Sequence, residues 1–395
     1  MLHPHPIYPA EYVLPGHPDK LCDGIADALV QDASRRQKRA AVGVEVAVHR
    51  NHVFVTGRLA CPDAEAIDVE GIVRGVFRSA GYDEPWYPSP PQLEIHADLY
   101  LGELLDGEAE FRSLADDQSV VTGYAVDLPG TNYLPPEHWL AWRLSLRLAR
   151  LRSEHPQLEL GPDGKVFVLY ENSGDASRLT ALSTSLQQQL AGNQIDLRRE
   201  VLAVLEHELQ IAAGAIPGFN PSVPDDVTVN GAGNFAVGGP DGDNGLSGKK
   251  LVVDAYGPRV PIGGGALSGK DLFRADRAGA IMARRIAKAV VLTGTAAACT
   301  AAVAFIPGAD RARLVSLRGN DGQPLDVSRW ERLSDLSLAG VGERYTGRED
   351  LIDVARAGHF TGRDRAWEQV TLDPPGVETS DEPRFESETE IVHSH

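Results

Sequence analysis

Cysteine is nearly absent from this 395-residue chain, and so is methionine: three Cys and two Met. Cys22, Cys61 and Cys299 are odd in number and widely separated, which excludes a disulfide framework and any CxxC zinc site. Basic residues are scarce relative to acids, 38 Lys and Arg against 56 Asp and Glu, for a formal charge of −18. Such a balance argues against nucleic-acid binding, whose affinity depends largely on neutralising phosphates. No apolar run approaches the roughly 20 residues of a membrane helix, and MLHPHPIYPAEY lacks the basic-then-apolar pattern of a signal sequence. A soluble cytoplasmic protein without membrane association is the expectation.

Core-forming material, by contrast, is plentiful. Hydrophobic residues make up 42% and glycine adds 40 residues, which suits two or three packed units and excludes general disorder. The segment 373–395 holds seven acids and one Arg, and its Pro, Ser and Glu content predicts a solvated disordered tail. Leu21, Ile25, Leu29 and Ala33 recur every four positions, predicting a helix over 20–38 capped by Asp19. VEVAV (44–48) and HVFVTG (52–57) predict a hairpin, and a helix over 64–80 ends at Gly81. Further on, KVFVLYEN (165–172) reads as a strand, 177–191 and 196–213 as helices, LVVDAY (251–256) as a strand and 276–293 as a helix. TAAVAFIP and ARLVSLRG read as a second hairpin. Antiparallel pairs mixed with helices indicate an α+β class, with no repeat at fixed period.

Three clusters combine charge with glycine. In Gly16-His17-Pro18-Asp19-Lys20 a helix start carries an imidazole, a carboxylate and an ammonium; it serves either as a capped terminus or as an anion site. The glycine-rich run 231–250 adds Phe235, Asp243, Lys249 and Lys250, and glycine permits close backbone approach to a ligand. The run Gly264–Lys270 fits GxxxxGK, yet Asp271 stands where a phosphate-binding loop needs Ser or Thr. Lys270 and Arg274 suit phosphate oxygens, and Asp276, with Asp19 as second carboxylate, suits Mg²⁺. Together the clusters describe a site for a polyphosphate and a metal.

GHPDK, GGPDGDNGLSGKKLVVDAYG and GGGALSGKD resemble the signatures of the S-adenosylmethionine synthetase (methionine adenosyltransferase) family, and weaker similarity spans about residues 8–370. The resemblance implies three similar α+β domains with interleaved segments, at 1–100, 110–232 and 233–372. It also implies a homodimer or dimer of dimers with shared active sites. The implied reaction is attack by the methionine sulfur on C5′ of ATP, followed by hydrolysis of the triphosphate to diphosphate and phosphate. His17, Lys165, Lys250 and Lys270 would then be catalytic, with His17 near the breaking C5′–O bond. Lys20, Lys249 and Arg274 would neutralise the triphosphate, Phe235 would pack on adenine or methionine, and Asp117 and Asp243 would hold ribose or amino-acid groups. Asp19 and Asp276 would bind Mg²⁺, and Glu45 would bind K⁺.

Chemistry agrees with that assignment, since a thioether is already nucleophilic and needs no general base; alignment and leaving-group stabilisation carry the rate. The sequence also departs from the family. Pro15 replaces an acid, Arg58 replaces a glutamate near the methionine ammonium, and 93–112 lacks the family's loop sequence. Arg58 is therefore placed at the acceptor. Alternative readings are a divergent adenosyltransferase with another acceptor, a triphosphate-releasing ATPase, or a noncatalytic homologue.

Overall fold

A computed structural model describes residues 5–371, so the acidic tail 373–395 lies outside the described residues. Among the described residues, three sheets carry helices against one face. The first joins Ile7–Val13 to Leu160–Asn172 and Ser177–Gln188, with short strands Phe219–Asn220 and Asp226–Val229 beside the last. The second runs Gly245–Leu246, Ala41–His49, His52–Ala60, Glu94–Gly102, and the third Arg313–Gly319, Ala298–Phe305, Ser119–Val126. Strand partnership thus crosses the linear divisions of the chain. Residues 7–13 complete the central sheet, 245–246 edge the N-terminal sheet and 119–126 enter the C-terminal one, which is the interleaving expected of this α+β fold.

Side-chain alternation explains how each sheet finds its helices. In Ala41–His49 the residues Val42, Val44, Val46 and Val48 are buried, while Glu45 and His49 face outward. Burying each such valine stabilises the fold by about 1.5–3 kcal/mol. The helix Pro18–Arg36 covers this inner face, Pro136–Glu154 covers the first sheet, and Ala275–Leu292 covers the third. One contiguous apolar core results.

Three local expectations are corrected. The N-terminal helix starts at Pro18 rather than 20, and its cap is His17, whose Nδ1 accepts the Asp19 amide at 3.2 Å. Proline at the first helical position, with φ already set, moves the start forward and leaves Asp19 inside the first turn. Residues 177–188 form a strand, not a helix. Their Ser, Thr and Leu alternate in burial and pair antiparallel with 160–172, so tertiary pairing overrides helix propensity. Finally, LVVDAY holds a helical turn, Leu251–Asp254, because Asp254 turns inward to meet Lys20.

Candidate active site

The site is built around the turn that precedes the first helix. Gly16 lies so close to Pro162 that a Cβ there would meet its carbonyl oxygen at 2.3 Å, and its own carbonyl accepts the Tyr82 hydroxyl at 2.6 Å. Only glycine allows this approach. The contact docks GHPDK on the Pro162–Lys165 segment, where Lys165 projects exposed from the strand.

Behind this turn, three carboxylates at four-residue spacing lie along one face of the helix. Asp19 accepts the Leu246 amide at 3.0 Å, Asp23 the Gly248 amide at 2.7 Å and Asp27 the Gly269 amide at 3.0 Å. One helix face therefore holds both glycine-rich loops in place. Asp27 also receives a bidentate pair from the fully buried Arg277, at 2.7 and 2.9 Å.

The anchored loops carry two charged groups. In the first, Asp19 is buried, with Lys249 and Lys250 each at 3.6 Å and His17 at 3.7 Å. Burial lowers the His17 pKa to about 2, and the charges of Lys165, Lys250, Lys249 and Lys20 add to that shift. The ring is consequently neutral. Since Nδ1 accepts the Asp19 amide, Nε2 is assigned the proton and can donate. Asp163, which was not singled out for a role, accepts the Gly239 amide at 2.8 Å and fixes the loop bearing Phe235 and Asp243. Burial raises its pKa to about 6. Phe235 packs on Gly238, and Asp243, exposed, accepts the Asn244 amide.

The second group surrounds the start of Ala275–Leu292. Asp276 accepts the Ser119 hydroxyl at 2.6 Å and pairs with Lys270, while Arg274 pairs with Asp116. Gly265 crowds this carboxylate so closely that a Cβ would lie 2.1 Å from its carbon. Asp117 falls between Asp116 and Ser119 and is exposed beside the group. Asp271 does not face a phosphate at all. It is buried, accepting the Val42 amide at 2.7 Å and pairing with Arg112.

One residue sits elsewhere than the sequence puts it. Lys20 is fully buried and pairs with Asp254 and with Asp23, the latter at 3.4 Å, so it cannot reach a triphosphate. Asp19 lies in the first group and Asp276 in the second. Asp19 and Asp27, which anchor the two loops, are eight residues apart, about 12 Å along the helix. The largest charges acting on His17 are lysines of the first group, whereas those on Arg274 come from Arg112, Arg58, Glu108 and Asp276.

Arg58 has a partner that the sequence reading did not identify. Its guanidinium forms two hydrogen bonds to Glu108, at 2.6 and 2.7 Å, and lies 5.8 Å from the Tyr100 ring centre. The strand Glu94–Gly102 runs parallel to His52–Ala60 in the register Arg58↔Tyr100, so the chain beyond it returns Glu108 to Arg58. Only the acidic content of 103–110 hinted at this. Glu45 stands exposed on the same strand layer, opposite Thr56, and has no ion pair among the described residues.

The chain is similar to known proteins along most of its length. Family models for the N-terminal, central and C-terminal domains of S-adenosylmethionine synthetase match residues 5–91, 112–235 and 237–369. The S-adenosylmethionine synthase of Zymomonas mobilis is 35% identical over 93% of this chain and 96% of its own length. S-adenosylmethionine synthase 1 of Rhodospirillum rubrum is 34% identical over 91% and 95%, and the Maricaulis maris synthase 31% over 90% and 92%. With three domain models matched in order and relatives aligned over nine-tenths or more of the chain, it belongs to the S-adenosylmethionine synthetase family.

Proposed function

We propose that the chain is a methionine adenosyltransferase, converting ATP, L-methionine and water to S-adenosylmethionine, phosphate and diphosphate. The observation that carries this reading is a buried, neutral His17 with a free Nε2–H, placed among Lys165, Lys249 and Lys250. A neutral donor and surrounding cations match a reaction whose charge develops on a departing triphosphate. The sulfur lone pair forms the new bond to C5′ as the C5′–O bond breaks, and the electron pair leaves with the triphosphate. His17 donates to that oxygen, and the lysines hold the phosphates in line. Water then splits the triphosphate into diphosphate and phosphate.

Asp19 and Asp276 fit a magnesium ion. Both are hard-oxygen ligands, and Asp19 Oδ2 has Lys250 at 3.6 Å and His17 at 3.7 Å, outside hydrogen-bond distance. When bound, Mg²⁺ would neutralise charge on phosphate oxygens. Glu45, exposed and unpaired among the described residues, suits K⁺.

Because the two groups are anchored at separate turns of one helix, the reading includes a homodimer, or a dimer of dimers. There the Asp19 group of one subunit meets the Asp276 group of its partner, with Lys270 and Arg274 on the triphosphate. Asp117, Asp243 and Phe235 border the nucleoside and acceptor.

Arg58 does not oppose methionine, since Glu108 neutralises it and supplies a carboxylate at the acceptor end in place of the missing glutamate. Incubation with ATP, Mg²⁺ and K⁺, with and without methionine, tests the reading by product mass. S-adenosylmethionine with diphosphate and phosphate is expected; methionine-independent triphosphate release alone contradicts it.

A further inference from the structure

On the outer face of the second sheet, we propose that His52, Glu94 and His96 form a binding site for a divalent transition-metal ion of the zinc and cobalt class. The backbone arranges the three residues. Glu94 and His96 are two apart on one strand, hence on one face, and the parallel register sets His52 beside Glu94 and Phe54 beside His96.

The ligand atoms are spaced as an ion requires. His52 Nδ1 is 3.2 Å from His96 Nε2 and 3.5 Å from Glu94 Oε2, and one ligand atom from each residue falls within 4.8 Å of the others. Two atoms bound at about 2.0–2.1 Å with angles between 90° and 110° lie about 2.9–3.4 Å apart. The nitrogen pair falls inside that range and the carboxylate just outside it.

Neighbouring groups hold the ligands in place. Phe54 stacks on His96 with ring centres 4.8 Å apart and an 18° interplanar angle, and His52 stacks on His96 at 5.5 Å and 17°. Asn51 donates to Glu94 Oε1 at 3.2 Å, orienting the carboxylate with Oε2 toward the histidines. Outer partners of this kind fix ligand orientation in metal sites. Two imidazoles and one carboxylate, with open positions for water, select a borderline transition metal over Mg²⁺, which takes oxygen ligands.

The test uses chelator-treated full-length protein with millimolar Mg²⁺ present to occupy the carboxylate sites. Titration with Co²⁺, followed by visible absorption and competed with Zn²⁺, should show one ion per chain. His52→Ala and His96→Ala should each weaken binding at least tenfold. Glu94→Gln should weaken it less, and His207→Ala, on an exposed helix face, should leave it unchanged. Asp19→Asn should also leave it unchanged, which separates this site from the phosphate-binding groups. All three ligand side chains lie at least partly exposed, so circular dichroism should show the variants folded. Unaltered Co²⁺ affinity in the His52→Ala/His96→Ala double variant overturns the proposal, as does binding abolished by Asp19→Asn.

Discussion

Arg58 and Glu108 face each other through two nearly equal hydrogen bonds, 2.6 and 2.7 Å, although fifty residues separate them. This fork-to-fork geometry is the stronger kind of ion pair, and the arginine's hydrogen bonds hold the Glu108 carboxyl below the usual carboxylate range. A charge reversal on one strand is answered by an acid from the following segment.

That relationship predicts a rescue. Arg58→Glu alone sets two carboxylates together and should raise KM for methionine at least tenfold while changing KM for ATP less. The swapped pair Arg58→Glu/Glu108→Arg should return KM for methionine to within about threefold of the parent. Steady-state kinetics on both variants decide it; a double variant as impaired as the single one would show that the pair does not act as a unit.

His17 yields two linked expectations. His17→Ala should slow S-adenosylmethionine formation about 10²-fold or more, the effect of losing one preorganised donor. The pKa of His17 in the folded protein, about 2, is below the unfolded value of 6.5. The unfolded chain therefore binds the extra proton, and stability is lost as pH falls from 6.5 toward 2. His17→Gln should remove about 1.4 kcal/mol per pH unit of that slope. Denaturant unfolding of parent and variant between pH 4 and 6.5 measures the difference; identical slopes would contradict a neutral buried ring.

Lys20 should behave as a structural residue. Removing it leaves Asp23 and Asp254 buried without their shared cation, so Lys20→Met should destabilise the fold by about 3–5 kcal/mol. Thermal unfolding reads this directly. A variant of parental stability with weakened ATP binding would instead return Lys20 to the triphosphate.

Much of the architecture was legible because strand and helix periods differ. The alternating valines of 44–48 and the four-residue repeat from Leu21 to Ala33 each announced a buried face. Residues 177–188 misled because their leucine, alanine and glutamine suit a helix until pairing with 160–172 is known. Lys20 misled for a related reason. A lysine inside a signature motif resembles a phosphate ligand, and only the fold reveals Asp254, 234 residues away, as its partner. The Asp19–Asp23–Asp27 ladder depends for its function on loops more than 200 residues distant. Glu108 had no local signal beyond acidity.

In the proposed dimer, two groups anchored on one helix complete each other across subunits. Asp19→Asn and Asp276→Asn should each lower turnover by orders of magnitude, since each removes a carboxylate charge that would hold Mg²⁺. Differently tagged copies of the two variants, co-expressed and purified as one-to-one heterodimers, provide the direct test. A shared site leaves one of the two sites with both aspartates, so the heterodimer should make S-adenosylmethionine at about half the parental rate. Heterodimers as inactive as either variant alone would contradict the account.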